Sequence, residues 1–397
     1  MTVLNLSADA LEKIDPNPRR SYTLPGHFYY EPAIFAHERD EIFYRTWQLA
    51  GHVSQLAEPG DYITEEIGGE SVIVLRDRAG GLRAFYNVCQ HRAHRLLEGE
   101  GRLKSVITCP YHAWCYGLDG ALRAARNSDR VDGFEKTQFS LKPVRVEVLC
   151  GFVYVNLDPE APALGARLDD FAREFLSFDP EPERLVRAYH KEIDVQANWK
   201  NVIENYAECY HCQNLHKSLS TAALDMSSYR IRVHEAYHVH TSGNCGGDQG
   251  YSFSTEGRRG EDFASWLIWP NVVFEYYPGG KLTVFHNKPL GPERTLQIID
   301  WYLPQGEPSA TEREVIDFVD VVREEDIPIV ESVQRGLHSR GYRQGRFMID
   351  EEGTGMSEHA VHDFQLKVLR ALGVTPGESL VDSSNGSSLD GSAGGAR

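Results

Sequence analysis

The segments Cys89-Gln90-His91 and Cys109-Pro110-Tyr111-His112 decide the reading of this chain: 17 residues separate His91 from Cys109, and each segment offers one thiol and one imidazole. Each follows a strand-like run and opens into a loop, so two facing loops bring two thiolates and two imidazoles to one metal centre. A Cys2His2 zinc site is the competing use of that donor set. Zinc sites of that kind pair cysteine with cysteine and histidine with histidine, whereas here each half mixes the two. Outward from the motifs the texture is that of short strands: Asp61–Ile67, 71–76 and 82–88, with Ala79-Gly80-Gly81 as the turn between the last two. A further turn falls at 117–120, and 144–157 is rich in β-branched and aromatic residues. Residues 47–158 are therefore expected to form a small all-β domain.

The whole chain has 397 residues, enough for two domains with separate cores. Its 41% hydrophobic and 25% charged residues place it with soluble globular proteins. No apolar run approaches the roughly 18 residues of a membrane span. Residues 1–20 lack the basic-then-apolar pattern of a secretory signal, so a cytoplasmic location is expected. A net charge of −17 argues against nucleic acid or an anionic membrane as partner and tolerates a small cationic substrate or a basic redox partner. The seven cysteines are an odd number in a large chain without an export signal, which suggests metal ligands rather than a disulfide framework.

Beyond residue 158 the pattern changes. Helical periodicity over 168–178, 197–211 and 311–337 alternates with strand-like runs at 266–277, 281–288 and 295–303. Helices on an antiparallel sheet make 159–375 an α+β unit. The tail 376–397, rich in Ser, Gly and Asp, is expected to be disordered, and 1–46 to pack on the second unit.

A second metal site is expected in Asn198–His216, N-W-K-N-V-I-E-N-Y-A-E-C-Y-H-C-Q-N-L-H. On a continuous helix Glu204, Glu208 and His211 share one face, opposite Trp199, Val202, Ile203, Tyr206 and Tyr210. A helix end at Gln213 and Asn214 would let His216 swing back beside His211. Two histidines and one carboxylate make the facial triad of non-haem Fe(II) sites; a solvated acidic face is the plain alternative. Cys209-x-x-Cys212 also resembles a redox pair, but a mid-helix position argues against that use. For the third ligand, an apolar stripe runs through Val315, Val319, Val322, Val330, Val333 and Leu337, and its missing middle member is Asp326. An aspartate on a buried stripe must be paired or bind a metal. Asp317, Asp320, Glu324 and Glu325 fall off the stripe and are expected to be solvated.

The spacing C-x-H, 17 residues, C-x-x-H resembles the signature of Rieske proteins, whose [2Fe–2S] cluster takes two cysteines on one iron and two histidines on the other. High-potential members add a cysteine to each loop; this chain has none near His94 or at Tyr111, and Cys115 is misplaced for it. With the second site, the chain resembles the oxygenase (alpha) subunit of Rieske non-haem iron oxygenases. E-C-Y-H-C, A-R-N, E-S-V-Q-R-G-L and S-R-G-Y-x-x-G-R look like the carnitine monooxygenase branch, with choline and betaine monooxygenases as neighbours.

The resemblance implies a Rieske domain followed by a helix-grip catalytic domain. It implies cluster ligands Cys89, His91, Cys109 and His112, and mononuclear Fe(2+) ligands His211, His216 and Asp326. Glu208, where ring-hydroxylating relatives carry Asp, is implied to bridge the two centres. Glu204 stands where such relatives carry Asn, and is a candidate for the iron pocket. Tyr206, Trp266, Trp269, Phe274 and Tyr276 are candidates for a cation–π substrate site. Also implied are O2 as cosubstrate, a head-to-tail homotrimer, and electrons from NAD(P)H through a separate flavin and [2Fe–2S] reductase, since no G-x-G-x-x-G fingerprint occurs. The expected reaction is oxidation of a quaternary ammonium compound with C–N cleavage. An N-demethylating betaine or choline monooxygenase, an aromatic-ring dioxygenase and a non-catalytic electron carrier are the alternatives.

Overall fold

Alternation at period 2 over Asp61–Ile67 turns Ile63, Glu65 and Ile67 inward, and that inward side is where the two halves of the chain meet. Glu65 pairs there with Lys288 of the second half at 2.6 Å, both side chains nearly buried. The computed structural model describes residues 11–179, 181–243, 262–277 and 282–374; residues 1–10 and the tail 376–397 lie outside them.

The first half is a β structure. Its strands are β1 (Gln48–His52), β2 (Asp61–Ile67), β3 (Glu70–Arg76), β4 (Leu82–Tyr86), β5 (Glu100–Arg102), β6 (Val106–Thr108), β7 (Cys115–Gly117), β8 (Leu122–Ala124), β9 (Pro143–Leu149) and β10 (Phe152–Asn156). One sheet runs β1-β10-β9-β4-β3-β2-β5, and β6-β7-β8 form a smaller one. The run expected at 144–157 is thus a hairpin, β9 and β10, turned at Cys150-Gly151, where both residues have positive φ. The smaller sheet holds the second cysteine–histidine loop, between β6 and β7.

The second half is an antiparallel sheet of β11 (Val186–Val195), β12 (Arg230–Val233), β13 (Tyr237–Ser242), β14 (Phe263–Ile268), β15 (Val272–Tyr276), β16 (Leu282–Gly291) and β17 (Arg294–Leu303), in the order β11-β17-β16-β15-β14-β13-β12. The run expected at 266–277 is therefore two strands joined at Trp269-Pro270-Asn271. Helices α1 (Gly165–Phe178), α2 (Trp199–Tyr206), α3 (Ala310–Leu337) and α4 (His359–Ala371) accompany the sheet. Leu168, Phe171 and Phe175 of α1 cover one face, packing on Trp266, Phe274 and Tyr276. The opposite face supplies Phe263, Leu267, Val273, Tyr277, Phe285, Ile299 and Trp301 to a core shared with α2, α3 and α4.

The N-terminal segment belongs to this second core. Leu24, Phe28, Tyr29, Ile42 and Phe43 join it, and Glu38 accepts from Trp199 Nε1 at 2.9 Å and Lys200 Nζ at 2.5 Å.

Two helices differ from expectation. Helix α2 starts under an Asn198 cap that accepts from the Lys200 N–H, but it ends at Tyr206 rather than 211. The Glu208 carboxylate accepts from the N–H groups of Tyr210 and His211, and the Cys209 N–H goes to the Gly355 carbonyl, so the following turn finds its bonds outside the helix. Helix α3 opens with a Ser309/Glu312 capping box and runs unbroken past Pro328. Its buried line includes Asp326, but at the far end it passes through Gln334; Val333, expected on the stripe, is 48% exposed.

Candidate metal centres and the pocket

The two cysteine–histidine loops are built alike. The Cys89 N–H donates to the His94 carbonyl and the Ala93 N–H returns to Cys89; the Cys109 N–H donates to Trp114 and the Ala113 N–H returns to Cys109. Ala93 and Ala113 hold the left-handed conformation, with φ of 55° and 56°, that tightens each loop. Cys89 and Cys109 are buried, unoxidised and close to one another. Backbone N–H groups of Tyr111 and His112 point at the Cys109 sulfur, and the Tyr116 hydroxyl lies 3.3 Å from the Cys89 sulfur. The imidazoles of His91 and His112 stand 4.6 Å apart, with His91 stacked on Trp114. His112 Nδ1 is buried without a hydrogen-bond partner, which suits a ligand atom aimed inward at iron. Tyr111, 53% exposed, lies beside His112 at the tip.

The second group lies deep in the other half. One donor atom from each of His211, His216 and Asp326 falls within 4.8 Å of the others. Among the described residues no other group of three His, Cys, Asp or Glu donors converges in this way, the loop donors included. A two-iron cluster, with cysteines on one iron and histidines on the other, does not require its ligands to meet at one point, whereas a single zinc ion does.

The turn after α2 delivers His211, and the short helix Cys212–Leu215 carries the chain on to His216, whose ring lies 5.2 Å from that of His211. His211 Nδ1 bonds Glu208 Oε1 at 2.6 Å and His216 Nδ1 bonds Glu325 Oε2 at 2.8 Å. Each ring therefore turns Nε2 toward Asp326 Oδ1, at 3.6 Å and 2.9 Å. A carboxylate on the far nitrogen fixes the tautomer and raises the basicity of a metal-binding imidazole. Burial opposes charge on His211, yet Glu208 and Asp326 hold its pKa above the ordinary value. Burial likewise opposes charge on Asp326, and His216 with Arg323 holds that carboxyl below the usual range.

Glu325 and Arg323 are the functional candidates that sequence reasoning missed. Glu325 is not a solvated off-stripe residue but the partner of His216, and Asp320 likewise accepts from Tyr189 and Lys191. Arg323, one helical turn before Asp326, lies 3.6 Å from its Oδ2 and 3.5 Å from Glu275 Oε1. Arg323, three residues before the buried aspartate, was the one signal available at helical spacing. The cysteines flanking His211 were also misjudged: Cys209 and Cys212 are disulfide-bonded around the turn that presents it, and neither is mid-helix.

Glu204 is not in the metal pocket. It is turned toward the N-terminal segment, where Tyr29 donates to it at 2.7 Å; burial pushes its carboxyl up to about 7, against the pull of Tyr29, Gln365 and Lys200. Of the five aromatic candidates only Tyr206 lines the pocket. Trp266, Phe274 and Tyr276 point through the sheet to α1, and Trp269 packs on Trp199 and Phe364. Strand alternation is the reason: the neighbours Phe263, Glu275 and Tyr277 face the pocket together with Tyr229.

This geometry defines a protein class. Residues 46–135 match the Rieske [2Fe–2S] domain, and 182–373 match the catalytic domain of the ring-hydroxylating alpha subunit. The chain belongs to the Rieske non-haem iron oxygenases and is the oxygenase component of a Rieske monooxygenase. Within that family it is 40% identical over 365 residues to the carnitine monooxygenase oxygenase subunit of Escherichia coli (strain K12), covering 91% of this chain and 97% of that one. The chloroplastic choline monooxygenase of Spinacia oleracea is 32% identical over 358 residues, 86% of this chain and 78% of that one. In structure the chain resembles the quaternary ammonium Rieske monooxygenase CntA in complex with L-carnitine, with a TM-score of 0.83 and 37% identity over 93% of this chain and 99% of that one.

Proposed function

We propose that the protein oxidises a carnitine- or γ-butyrobetaine-like quaternary ammonium compound at a carbon next to the nitrogen, with C–N cleavage. The observation that carries this reading is the pocket itself: Tyr206, Tyr229, Phe263 and Tyr277 surround the space beside His211, His216 and Asp326. Ring faces attract a cation that has no N–H to donate. Likeness to carnitine monooxygenase subunits over nearly the whole chain supports the same choice.

In this reading Cys89, His91, Cys109 and His112 would hold a [2Fe–2S] cluster, and His211, His216 and Asp326 would hold one Fe(2+). When bound, the cluster supplies electrons singly and the mononuclear iron activates O2. Glu208 links the two centres. One oxygen bonds His211 Nδ1, and the other caps the turn at Tyr210 and His211, so its position is set by the residues that present the ligand. The partner across the link would be His112 of a neighbouring copy in a head-to-tail trimer, beside Tyr111 at the exposed tip of its loop. A separate flavin and [2Fe–2S] reductase draws those electrons from NAD(P)H. Glu325 and Arg323 hold His216 and Asp326, and the aromatic wall keeps water from the reacting carbon. Substrate, O2, two electrons and two protons give water and a carbinolamine-like product. With carnitine that product collapses to trimethylamine and malic semialdehyde. We assign the protein to the cytoplasm; among the described residues no helix is long and apolar enough to cross a membrane.

NADH-driven turnover with a cognate reductase tests the reading, with amine and aldehyde products measured together. Hydroxylation of an arene, with no amine from any quaternary ammonium compound, overturns it. A count of about three irons and two sulfides per chain separates an oxygenase from an electron carrier, which holds cluster iron alone.

A further inference from the structure

The pocket beside His211, His216 and Asp326 has a second charged end. Glu275, on β15 and 1% exposed, lines it. Its Oε1 lies 3.5 Å from both Arg323 and Ser265 Oγ, while its Oε2 is buried with no hydrogen-bond partner. Burial pushes the carboxyl up, against the pull of Arg323 and of the Tyr206, Tyr277 and Ser265 hydroxyls. A buried carboxylate oxygen that no donor reaches is costly unless something else faces it.

Arg323 is the one Lys or Arg among the residues lining this pocket. Its guanidinium lies over Phe285 at 4.4 Å and over Tyr206 at 5.5 Å, and it touches Glu275 on one side and Asp326 on the other. Carboxylate, guanidinium and carboxylate thus form a row, with Asp326 beside the two histidines and Glu275 beside the rings. One guanidinium cannot neutralise both carboxylates, so each end has charge to offer a further cation. At the Asp326 end the cation is the metal. At the Glu275 end the hydroxyls of Tyr206, Tyr277 and Ser265 bond the carboxyl but leave Oε2 without a partner, and an ammonium with four carbon substituents offers that oxygen charge and polarised C–H groups between aromatic faces.

We propose that Glu275 is the counter-charge that selects a cationic head group in this pocket, with Arg323 as the positioning residue that holds Glu275 and Asp326 one guanidinium apart. The arrangement keeps the carbons next to the bound nitrogen at the metal end. This inference rests on the pocket's being the substrate site of a quaternary ammonium oxygenase.

Equilibrium binding of γ-butyrobetaine and of its uncharged carbon isostere, 5,5-dimethylhexanoate, to the full-length holoprotein tests it without turnover. Iron content and the cluster absorption spectrum certify each variant. The wild type is expected to favour the cation, and E275Q to weaken the cation by about tenfold or more while leaving the isostere within about twofold. E275D, which keeps the charge, is expected to retain most of the preference. An E275Q protein with the wild-type preference overturns the proposal, as does an E275D protein that loses the preference as fully as E275Q. A wild type that does not favour the cation overturns the quaternary ammonium reading itself.

Discussion

The two candidate metal centres reach similar donor sets by opposite routes. The cysteine–histidine centre is local: each loop supplies a pair within four residues, the same backbone bonds close both loops, and the histidines stand near the surface. The His211–His216–Asp326 centre is assembled from a turn and a helix about 110 residues apart in the chain, and its members are partly or fully buried. A local site can rely on backbone geometry to aim its ligands. A site built from distant elements needs side chains to aim them, which is the part Glu208, Glu325 and Arg323 take here.

The comparison breaks most sharply at the ligands. C109S is expected to abolish the cluster spectrum and its sulfide while leaving the mononuclear iron in place, because the loop's contacts do not reach the second core. D326A is expected to do the reverse, keeping the cluster and losing about one iron per chain. Both variants lose turnover entirely. Metal and sulfide analysis beside the reduced-cluster spectrum reads the two effects apart; a D326A protein with a full iron complement would dissolve the distinction.

The contrast between exposed and buried histidines has a second consequence. Burial pushes His52 and His238 down to about 4 and His240 down to about 3. Unfolded, these rings take up protons near pH 6.5, but in the folded protein they stay neutral until about pH 4. Between those values the unfolded state binds more protons, so stability is full above about pH 6.5 and falls as pH drops toward 4. Three such groups give a slope of up to about 4 kcal/mol per pH unit, and Glu204, pushed up to about 7 in the fold, opposes it by about one group's share between pH 7 and 4.5. Denaturant unfolding at pH 7.5, 6.0 and 5.0 measures it, and a flat profile would mean the rings are protonated in the fold. His238 and His240 lie on β13 and His52 where the halves meet, so the loss is expected to register in the second half rather than at the cluster loops.

The support given to buried ligands can be measured singly. E325Q keeps the size of the side chain but removes its charge from His216 Nδ1, and is expected to lower Fe(2+) affinity about 10- to 100-fold with the cluster spectrum unchanged. Competition with a chelator of known affinity reads this directly. Unaltered affinity would show that the short helix Cys212–Leu215 aims His216 without help from Glu325.

How much of this was legible in the sequence follows the same division. The two matched cysteine–histidine loops were, because their spacing is short and each pair shares a loop. Asp326 was, because a charged residue on an apolar line is an anomaly that periodicity exposes. Glu325 was not: helix phase correctly puts it beside the buried line, but the His216 ring that meets it comes from another element. The substrate wall failed on parity. The run through Trp266, Phe274 and Tyr276 has the right composition, but which face of a two-sided sheet meets α3 is decided by tertiary packing, and the pocket took Phe263, Glu275 and Tyr277 instead. The helix expected to reach 211 ended at Tyr206 because Glu208 spends its carboxylate on the turn's own N–H groups.

The smallest expected effect tests the phase of α3 at its far end, where the apolar line and the buried line part. Val333 continues the hydrophobic pattern by sequence, yet it faces solvent, so V333K is expected to change unfolding free energy by no more than about 0.5 kcal/mol. Its neighbour Gln334 looks like a surface residue but is buried. It accepts from the Asn198 N–H at 2.9 Å and from Asn201 Nδ2 at 2.7 Å, and donates to the Tyr29 carbonyl at 3.0 Å and to Glu293 at 2.9 Å. Through those bonds one polar side chain ties α3 to the start of α2 and to the N-terminal segment, so Q334A strands several buried groups at a cost of about 1–3 kcal/mol each where water cannot replace the bond. Urea unfolding of the two variants side by side decides between the phases. An apolar residue that tolerates lysine beside a glutamine that does not tolerate alanine would place the seam of this helix on Gln334, while a destabilised V333K would return it to the apolar line.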